Sequence, residues 1–292
     1  ATKTIWLDGN VNFNKNVALK SGGAIYTPNG LVLDGGTFEN NVAKEGFGGA
    51  VYVKQTLKKA TTSSETTTLF KQNNSIYGGA IAILELEQNI QINNILFEQN
   101  GYVNNGGAIY YDGSATNFMI SLGANVIING STARNGSMQY QQGGAVYAKN
   151  GNITFEGSAT GNIAVTGGAF YLDGESKLVL INAILSDNSC QHETLGGGAI
   201  YVGSSSYVVF EGENNIFRNN QARRGGAIYI NSSQNTDSKK TVIKNVTFEN
   251  NALTDSSDVG KRYGEILYVA NNSTVTVSGD IATIIAEEEK HQ

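Results

Sequence analysis

The fold is decided by a stretch that reads Phe38-Glu39-Asn40-Asn41 and, a few residues later, Gly48-Gly49-Ala50-Val51-Tyr52. Both phrases return along the chain. The glycine phrase begins at Gly22-Gly23, Gly48-Gly49, Gly78-Gly79, Gly106-Gly107, Gly143-Gly144, Gly167-Gly168, Gly197-Gly198 and Gly225-Gly226, with a worn copy at Gly264-Glu265. The aromatic phrase runs from Phe13 to Asn16, Phe38 to Asn41, Phe70 to Asn73, Phe97 to Asn100, Phe217 to Asn220 and Phe248 to Asn251, with a softened copy from Leu185 to Asn188. Two motifs repeated in phase, with a mean period of about 30 residues, are typical of a solenoid.

Each period holds three short runs of alternating or β-branched residues, separated by turn signals such as Pro28-Asn29-Gly30 and Asp34-Gly35-Gly36. Helical periodicity is missing almost everywhere. The sequence therefore predicts an all-β chain that folds as a single right-handed parallel β-helix of about 9–10 coils, with three short strands in each. We expect one domain over residues 1–292: an N-terminal partial coil or cap at 1–16, repeats over 13–270, and a C-terminal cap with a charged tail at 271–292.

The motifs have physical reasons in such a coil. Glycine pairs allow a corner with positive φ. The apolar residue that follows each Gly-Gly-Ala should point inward, and the phenylalanines should form a second interior stack. The asparagine of each Phe-x-x-Asn phrase should lie at a turn, where its amide can bond the same asparagine of the next coil.

A tyrosine follows the inward apolar residue in eight of the nine copies. Strand alternation places it on the outer face, so we expect an exposed aromatic ladder. Its members are Tyr26, Tyr52, Tyr110, Tyr147, Tyr171, Tyr201, Tyr229 and Tyr268. The ladder either covers the backbone for stability or offers a flat binding strip to glycans or proteins.

Composition limits the function classes. With 36 glycines, 1 proline, 15% charged and 40% hydrophobic residues, the chain is neither disordered nor collagen-like. Its net charge of −5 and lack of basic runs argue against a nucleic-acid partner. No stretch of 18 apolar residues is present, so no transmembrane helix is expected. The single Cys190 excludes an internal disulfide.

Candidate chemistry is sparse, and we predict no catalytic, cofactor-binding or metal site. Asn235-Thr236-Asp237 matches one piece of a galacturonan hydrolase site, but no Asp-Asp pair accompanies it. A lyase would need a lysine or arginine base beside calcium-binding carboxylates. Asp255, Asp258, Lys261 and Arg262 lie in one insertion, but their spacing alone does not show that they converge. Cys190, His192 and Glu193 are too few for a structural zinc.

Copies differ most in five insertions, which are better candidates for binding because variable loops on a rigid scaffold often carry function. These loops are Lys54–Thr68, Ser131–Gln142, Ser189–Leu195, Asn231–Lys240 and Thr254–Arg262.

Interleaved Gly-Gly-Ala-[Ile/Val] and Phe-x-x-Asn phrases from Phe13 to Tyr268 resemble the passenger region of the polymorphic outer membrane proteins of chlamydiae. The resemblance implies an autotransporter passenger, displayed on the cell surface or secreted, that acts as an adhesin. The chain departs from the family in having one cysteine and no C-terminal barrel segment, which indicates a passenger fragment or a distant relative.

Three functions follow as hypotheses. The first is a non-catalytic adhesin or binding stalk that contacts a host-cell or surface protein or glycan receptor through its loops and tyrosine face. The second is a carbohydrate-active enzyme of the pectin-lyase type. The third is a structural surface or filament component that self-associates.

Overall fold

The computed structural model describes residues 4–59, 66–101, 104–114, 117–133, 141–232, 239–254, 264–270, 273 and 275–278. Every strand pair in this part of the chain is parallel, and each strand pairs with its counterparts in the coils before and after it. The chain is therefore a β-solenoid of about 8 turns, slightly fewer than the 9–10 coils predicted. No helix long and apolar enough to cross a membrane occurs in the described segments.

Strands that follow the glycine phrases form the first sheet, named here the GGA sheet. They are β4 (Ile25–Thr27), β8 (Val51–Lys59), β10 (Ile81–Leu86), β13 (Ile109–Asp112), β17 (Val146–Lys149), β21 (Phe170–Asp173), β25 (Ile200–Ser204), β29 (Ile228–Ser232) and β33 (Leu267–Val269). The predicted inward stack is confirmed. In each GGA-sheet strand from β4 to β29 the first residue is buried and lies in register with the first residue of the next strand in this sheet.

The middle sheet comes next in each coil. Its strands are β11 (Ile90–Ile92), β14 (Met119–Leu122), β18 (Asn152–Phe155), β22 (Lys177–Ile181), β26 (Tyr207–Glu211), β30 (Thr241–Ile243) and β34 (Val275–Val277). In the first two coils this position is taken by β1 (Thr4–Asp8) and β5 (Gly30–Asp34), which pair with each other and, through β5, with β8. Strand β8 is long enough to serve two sheets, since its first half pairs with β4 and its second half with β5.

The third sheet, named here the FxxN sheet, contains the aromatic phrases. Its strands are β2 (Asn12–Asn14), β6 (Thr37–Glu39), β9 (Thr68–Lys71), β12 (Ile95–Glu98), β15 (Val126–Asn129), β19 (Ser158–Thr160), β23 (Ile184–Ser186), β27 (Asn215–Arg218) and β31 (Val246–Glu249). The predicted interior stack is confirmed for Phe38, Phe70 and Phe97, whose rings are buried and lie 4.6 and 5.2 Å apart. Phe13, half-buried, extends this stack at its N-terminal end, whereas Phe217 and Phe248 form a separate ring pair 5.3 Å apart, beyond Ile128, Ala159 and Leu185.

A fourth ladder of two-residue strands was not predicted. It consists of β3 (Val17–Ala18), β7 (Val42–Ala43), β16 (Thr132–Ala133), β20 (Ile163–Ala164), β24 (Ser189–Cys190), β28 (Gln221–Ala222) and β32 (Ala252–Leu253). These strands follow the asparagine turns directly and are too short to give a sequence pattern of their own.

Glycine pairs act at the corner before the GGA sheet, as predicted. Gly48 has φ of 65°, which a residue with a Cβ adopts only with strain. Gly49 is needed for a different reason, since an added Cβ would collide with the carbonyl oxygen of Gly79 on the next coil. The pair therefore sets both the turn and the close stacking of coils.

Candidate functional site

The predicted tyrosine ladder exists but is mostly covered. Its rings stack in register along the outer face of the GGA sheet, with centroids 4.7 Å apart for Tyr171 and Tyr201. Tyr26 is 57% exposed, whereas Tyr52, Tyr110, Tyr147, Tyr201 and Tyr229 are at most 7% exposed. Tyr171 and Tyr268 are half-buried. The prediction of an exposed aromatic strip was therefore wrong for every member except Tyr26.

Neighbouring coils supply the cover that the single-strand pattern did not reveal. The Cβ of Tyr201 lies against the glycine corner at Gly167, and the ring of Tyr229 lies against Gly196. These rings thus pack against glycine corners, which have no side chain, and each stacks on the ring of the next coil. Stacking of this kind favours stability over recognition.

The one gap in the ladder is filled from the side. Ala82 takes the tyrosine position between Tyr52 and Tyr110. Phe47 and Tyr77 pack into this gap, with ring centroids 4.9 Å apart. The filled gap keeps the aromatic cover continuous without adding exposed rings.

Hydroxyl groups of the ladder are bound within the protein. The Tyr147 hydroxyl donates to Asp173 Oδ2 at 2.7 Å, and Asn231 Nδ2 donates to the Tyr201 hydroxyl at 3.1 Å. Burial raises the pKa of Tyr147 above its ordinary value, and the hydrogen bond to Asp173 raises it further. Tyr147 therefore stays neutral and serves as a packing group.

The asparagine turns form a buried network of amide hydrogen bonds between coils, in two runs, as the sequence predicts. Asn41 Nδ2 donates to Asn73 Oδ1 at 2.9 Å, and Asn73 Nδ2 donates to Asn100 Oδ1 at the same distance. The backbone N–H of Asn41 donates to that same Asn73 oxygen, and Asn73 Nδ2 also donates to the Phe38 carbonyl. Every polar atom of the amide has a partner. The row, named here the asparagine ladder, continues through Asn162, Asn188, Asn220 and Asn251.

Ser131 interrupts the asparagine ladder between Asn100 and Asn162. Its backbone N–H donates to Asn162 Oδ1 at 2.9 Å, but its hydroxyl is buried without a hydrogen-bond partner. The short side chain cannot reach the groups of Asn100 that an asparagine would bind.

The Cys190–His192 cluster forms a loop whose polar groups bind the backbone. Cys190 is buried, its Sγ lies 3.0 Å from the Val165 carbonyl oxygen, and burial raises its pKa to about 11. His192 Nδ1 accepts the backbone N–H groups of Thr194 and Leu195, both at 3.0 Å. Among the residues that the structure describes, no three His, Cys, Asp or Glu side chains are placed to hold a metal ion.

Several predicted candidates fall wholly or partly outside the described residues. Asp237, Asp255, Asp258, Lys261 and Arg262 belong to this group. So do parts of four of the five variable loops and most of the 271–292 segment, whereas Ser189–Leu195 is fully described.

A concave polar surface, named here the amide cleft, lies where the GGA strands turn into the middle sheet. It encloses about 450 Å³ and crosses five successive coils. Its lining residues are Gly113, Ser114, Asn117, Asn150, Asn152, Glu175, Tyr207 and Lys239.

Side chains in the amide cleft are held by bonds between coils. Asn150 Nδ2 donates to Ser114 Oγ at 2.8 Å, and Asn150 Oδ1 accepts the Glu175 N–H at 2.9 Å. Lys239 Nζ contacts Glu175 Oε2 at 3.1 Å. Gly174 is required here, since a Cβ would collide with the Asn150 amide oxygen. The cleft is therefore a fixed arrangement of amides and one ion pair.

Sequence reasoning missed the amide cleft because its residues come from turns 25 to 64 positions apart. In the sequence these turns are marked only by their lack of repetition. The turn after each GGA strand differs from copy to copy, and Ser114, Glu175 and Lys239 belong to no repeated phrase.

Comparison with protein families bears on identity. A model described as the Chlamydia polymorphic membrane protein (Chlamydia_PMP) repeat matches residues 10–28, 35–54 and 216–231. The chain carries a Chlamydia polymorphic membrane protein-like repeat region. No curated protein and no solved structure matches the chain significantly.

Proposed function

We propose that the chain is a non-catalytic binding stalk, displayed at the cell surface or secreted, that acts as an adhesin for a receptor on another cell. The single observation that carries this proposal is the polymorphic membrane protein-like repeat built into an all-parallel solenoid. A rod whose coils are locked by buried side chains holds outer turns at fixed positions. Its function is then presentation of a binding surface.

The receptor contacts of this stalk lie in its outer turns and in the amide cleft. Buried rings such as Tyr147 and Tyr201 offer little accessible surface to a receptor. The outer turns and the amide cleft therefore take the binding role that the sequence suggested for the tyrosine ladder. Binding residues are commonly carried by turns on a rigid scaffold. The fixed cleft and the fully described loop Ser189–Leu195 supply such turns.

A non-catalytic role is supported by how the described polar groups are used. Asp173 accepts the Tyr147 hydroxyl, the Ser204 hydroxyl and the Gly174 N–H. His192 Nδ1 is occupied by two backbone N–H groups. A general base needs a free lone pair within reach of a substrate proton, and these groups use theirs in the fold.

The test is a combined retention and turnover assay with the intact chain. Labelled protein is offered to cultured epithelial cells and, separately, to immobilised glycans and polysaccharides, while bound protein and new reducing ends are measured. We expect saturable retention without new chain ends. Heat-unfolded protein is the control. New reducing ends would favour the enzyme hypothesis, and retention no greater than that of unfolded protein would contradict the adhesin.

Self-association is a second candidate because apolar side chains are exposed on the first coil. Trp6 is 70% exposed and Leu19 61%, and Val17 and Tyr26 are exposed as well. Exposed apolar side chains of this kind can pack against a second copy. Sedimentation velocity over a range of concentrations tests this. The Trp6→Ser variant should shift the population toward monomer, and a monomer at all concentrations would contradict self-association.

A further inference from the structure

We infer that the amide cleft binds a neutral oligosaccharide, a chain of uncharged sugar units laid across successive coils. The inference rests on the proposed binding function and names the ligand class of one of its surfaces. It is carried by the shape, polarity and charge balance of the cleft.

Unused hydrogen-bonding groups face the amide cleft. Among the described residues, neither the Tyr207 hydroxyl nor the Asn117 side-chain amide has a hydrogen-bond partner. Asn152 uses its Nδ2 for the Asn117 carbonyl at 3.2 Å, which leaves its Oδ1 for a ligand. Amide and hydroxyl groups both donate and accept, and so do the hydroxyl groups of a sugar. A polyhydroxylated ligand therefore matches this lining better than an apolar one.

Charges in and around the amide cleft cancel. Glu175 and Lys239 form an ion pair across two coils, at 3.1 Å. The neighbouring charges are also of both signs: Asp112 and Lys149 form an ion pair at 3.3 Å, and Asp173 and Lys177 lie on either side of Glu175 in the sequence. A sulfated or carboxylated sugar would meet Glu175 as well as Lys239, so the cleft offers it no net attraction. The lack of net charge in the cleft does not weaken the binding of a neutral sugar.

Dimensions favour an extended chain over a protein partner. The lining residues come from five successive coils, so the cleft spans four coil spacings, about 19 Å at about 4.8 Å each. One coil spacing is close to the length of one pyranose unit in an extended chain, so each coil can contact one sugar. Protein partners need a larger and flatter contact surface than this concave strip.

Tyr207 supplies the stacking surface that sugars use. It lies on the outer face of β26, in register with Lys177, and is half-exposed. An aromatic ring in a cleft of amides can contact the C–H face of a pyranose while the amides bind its hydroxyl groups. Asn150, held on both sides, keeps the surrounding groups in place before a ligand arrives, which reduces the entropy cost of binding.

The test measures binding of defined neutral tetrasaccharides to the intact chain by calorimetry. The probes are cellotetraose, mannotetraose, xylotetraose and chitotetraose, with an acidic series of oligogalacturonates in parallel. We expect at least one neutral probe to bind. Tyr207→Ala should weaken it at least about tenfold, and Tyr207→Phe by less, because the ring remains. Glu211→Gln, an exposed change on the same strand outside the cleft, is the matched control and should leave affinity unchanged.

Other outcomes separate the two proposals. Neutral binding that Tyr207→Ala leaves intact overturns the assignment to this cleft. Preference for the oligogalacturonates overturns the neutral class. If no tetrasaccharide binds but cells still retain the protein, the inference fails and the adhesin stands. If cells do not retain the protein either, the proposed function fails as well.

Discussion

The asparagine ladder and the amide cleft both place polar side chains on successive coils, but the ladder satisfies all its hydrogen-bonding groups and the cleft does not. In the ladder, Asn73 is buried and all its amide atoms bond the coils before and after it. In the cleft, Asn150 is bonded but Asn117 and Tyr207 still have groups free for a ligand within the described structure.

The difference is one of repetition. A ladder closes when the same side chain recurs at every level, because each amide then finds an identical partner one coil away. The cleft brings serine, asparagine, glutamate, tyrosine and lysine to equivalent turns, so partners do not match and bonding capacity remains. Identical rows stabilise the rod, whereas varied rows can recognise a ligand.

Disrupting the asparagine ladder should have the largest effect on stability. Asn73→Ala removes four buried hydrogen bonds and leaves the backbone N–H of Asn41 without its acceptor. We expect a loss of about 3 kcal/mol in the free energy of unfolding. Urea denaturation followed by circular dichroism measures it.

Asn74→Ala is the matched control, since Asn74 is half-buried and its side chain has no hydrogen bond among the described residues. Its change should stay within about 0.5 kcal/mol. Equal losses for the two variants would show that the ladder has no special role.

Completing the asparagine ladder at position 131 should stabilise the β-solenoid. Ser131→Asn offers an acceptor to Asn100 and replaces a buried hydroxyl that has no partner. We expect a gain of about 1 kcal/mol, measured by the same denaturation. Ser131→Ala removes the hydroxyl without adding bonds, so the asparagine variant should exceed it; a less stable asparagine variant would contradict the prediction.

Opening the cleft further should change binding more than stability. Asn150 has φ of 48°, so Asn150→Gly removes the amide and keeps a conformation that glycine adopts freely. We expect the free energy of unfolding to change by less than about 1 kcal/mol, because water replaces the lost partners. Calorimetry with the neutral probes should show weaker binding. A loss as large as that of Asn73→Ala would place Asn150 among the structural amides.

A fall in pH should leave the asparagine ladder intact, since its amides do not titrate, but should loosen the His192 turn. Burial lowers the pKa of His192, while the neighbouring Glu193 carboxylate opposes the shift. Nδ1 cannot accept the Thr194 and Leu195 N–H groups once it is protonated. The turn is therefore stable above the ordinary histidine pKa of about 6.5 and weakens as pH falls through the lower folded value.

Amide hydrogen exchange of Thr194 and Leu195 between neutral and acidic pH measures this effect. His192→Asn retains a side-chain acceptor that does not titrate, so its exchange should lack the acid-dependent increase. The same increase in that variant would exclude His192 as the cause.

The sequence was sufficient for the features that recur in every coil. Two motifs in phase predicted the solenoid, the inward stack beginning at Ile25 and the amide bonds between Asn41 and Asn73. Such features are predictable because a repeated residue meets its own copy, so one strand's pattern implies the contact between coils.

Features that depend on unlike neighbours were not predictable. Alternation placed Tyr147 on the outer face correctly but could not show that Asp173 and the rings of adjacent coils would cover it. The amide cleft depends on the length of the turn between two strands. That length determines which side chains of neighbouring coils come into contact. A single sequence carries no signal for that distance.

The serine at position 131 also bears on how the rod comes apart. Coils touch only their neighbours, so cooperativity passes through each interface in turn, and a weak interface uncouples the segments on either side. The ring stack is broken at the same level, where Ile128 and Ala159 follow Phe97. On heating or under axial tension, we expect the molecule to separate at this joint into two blocks that melt independently.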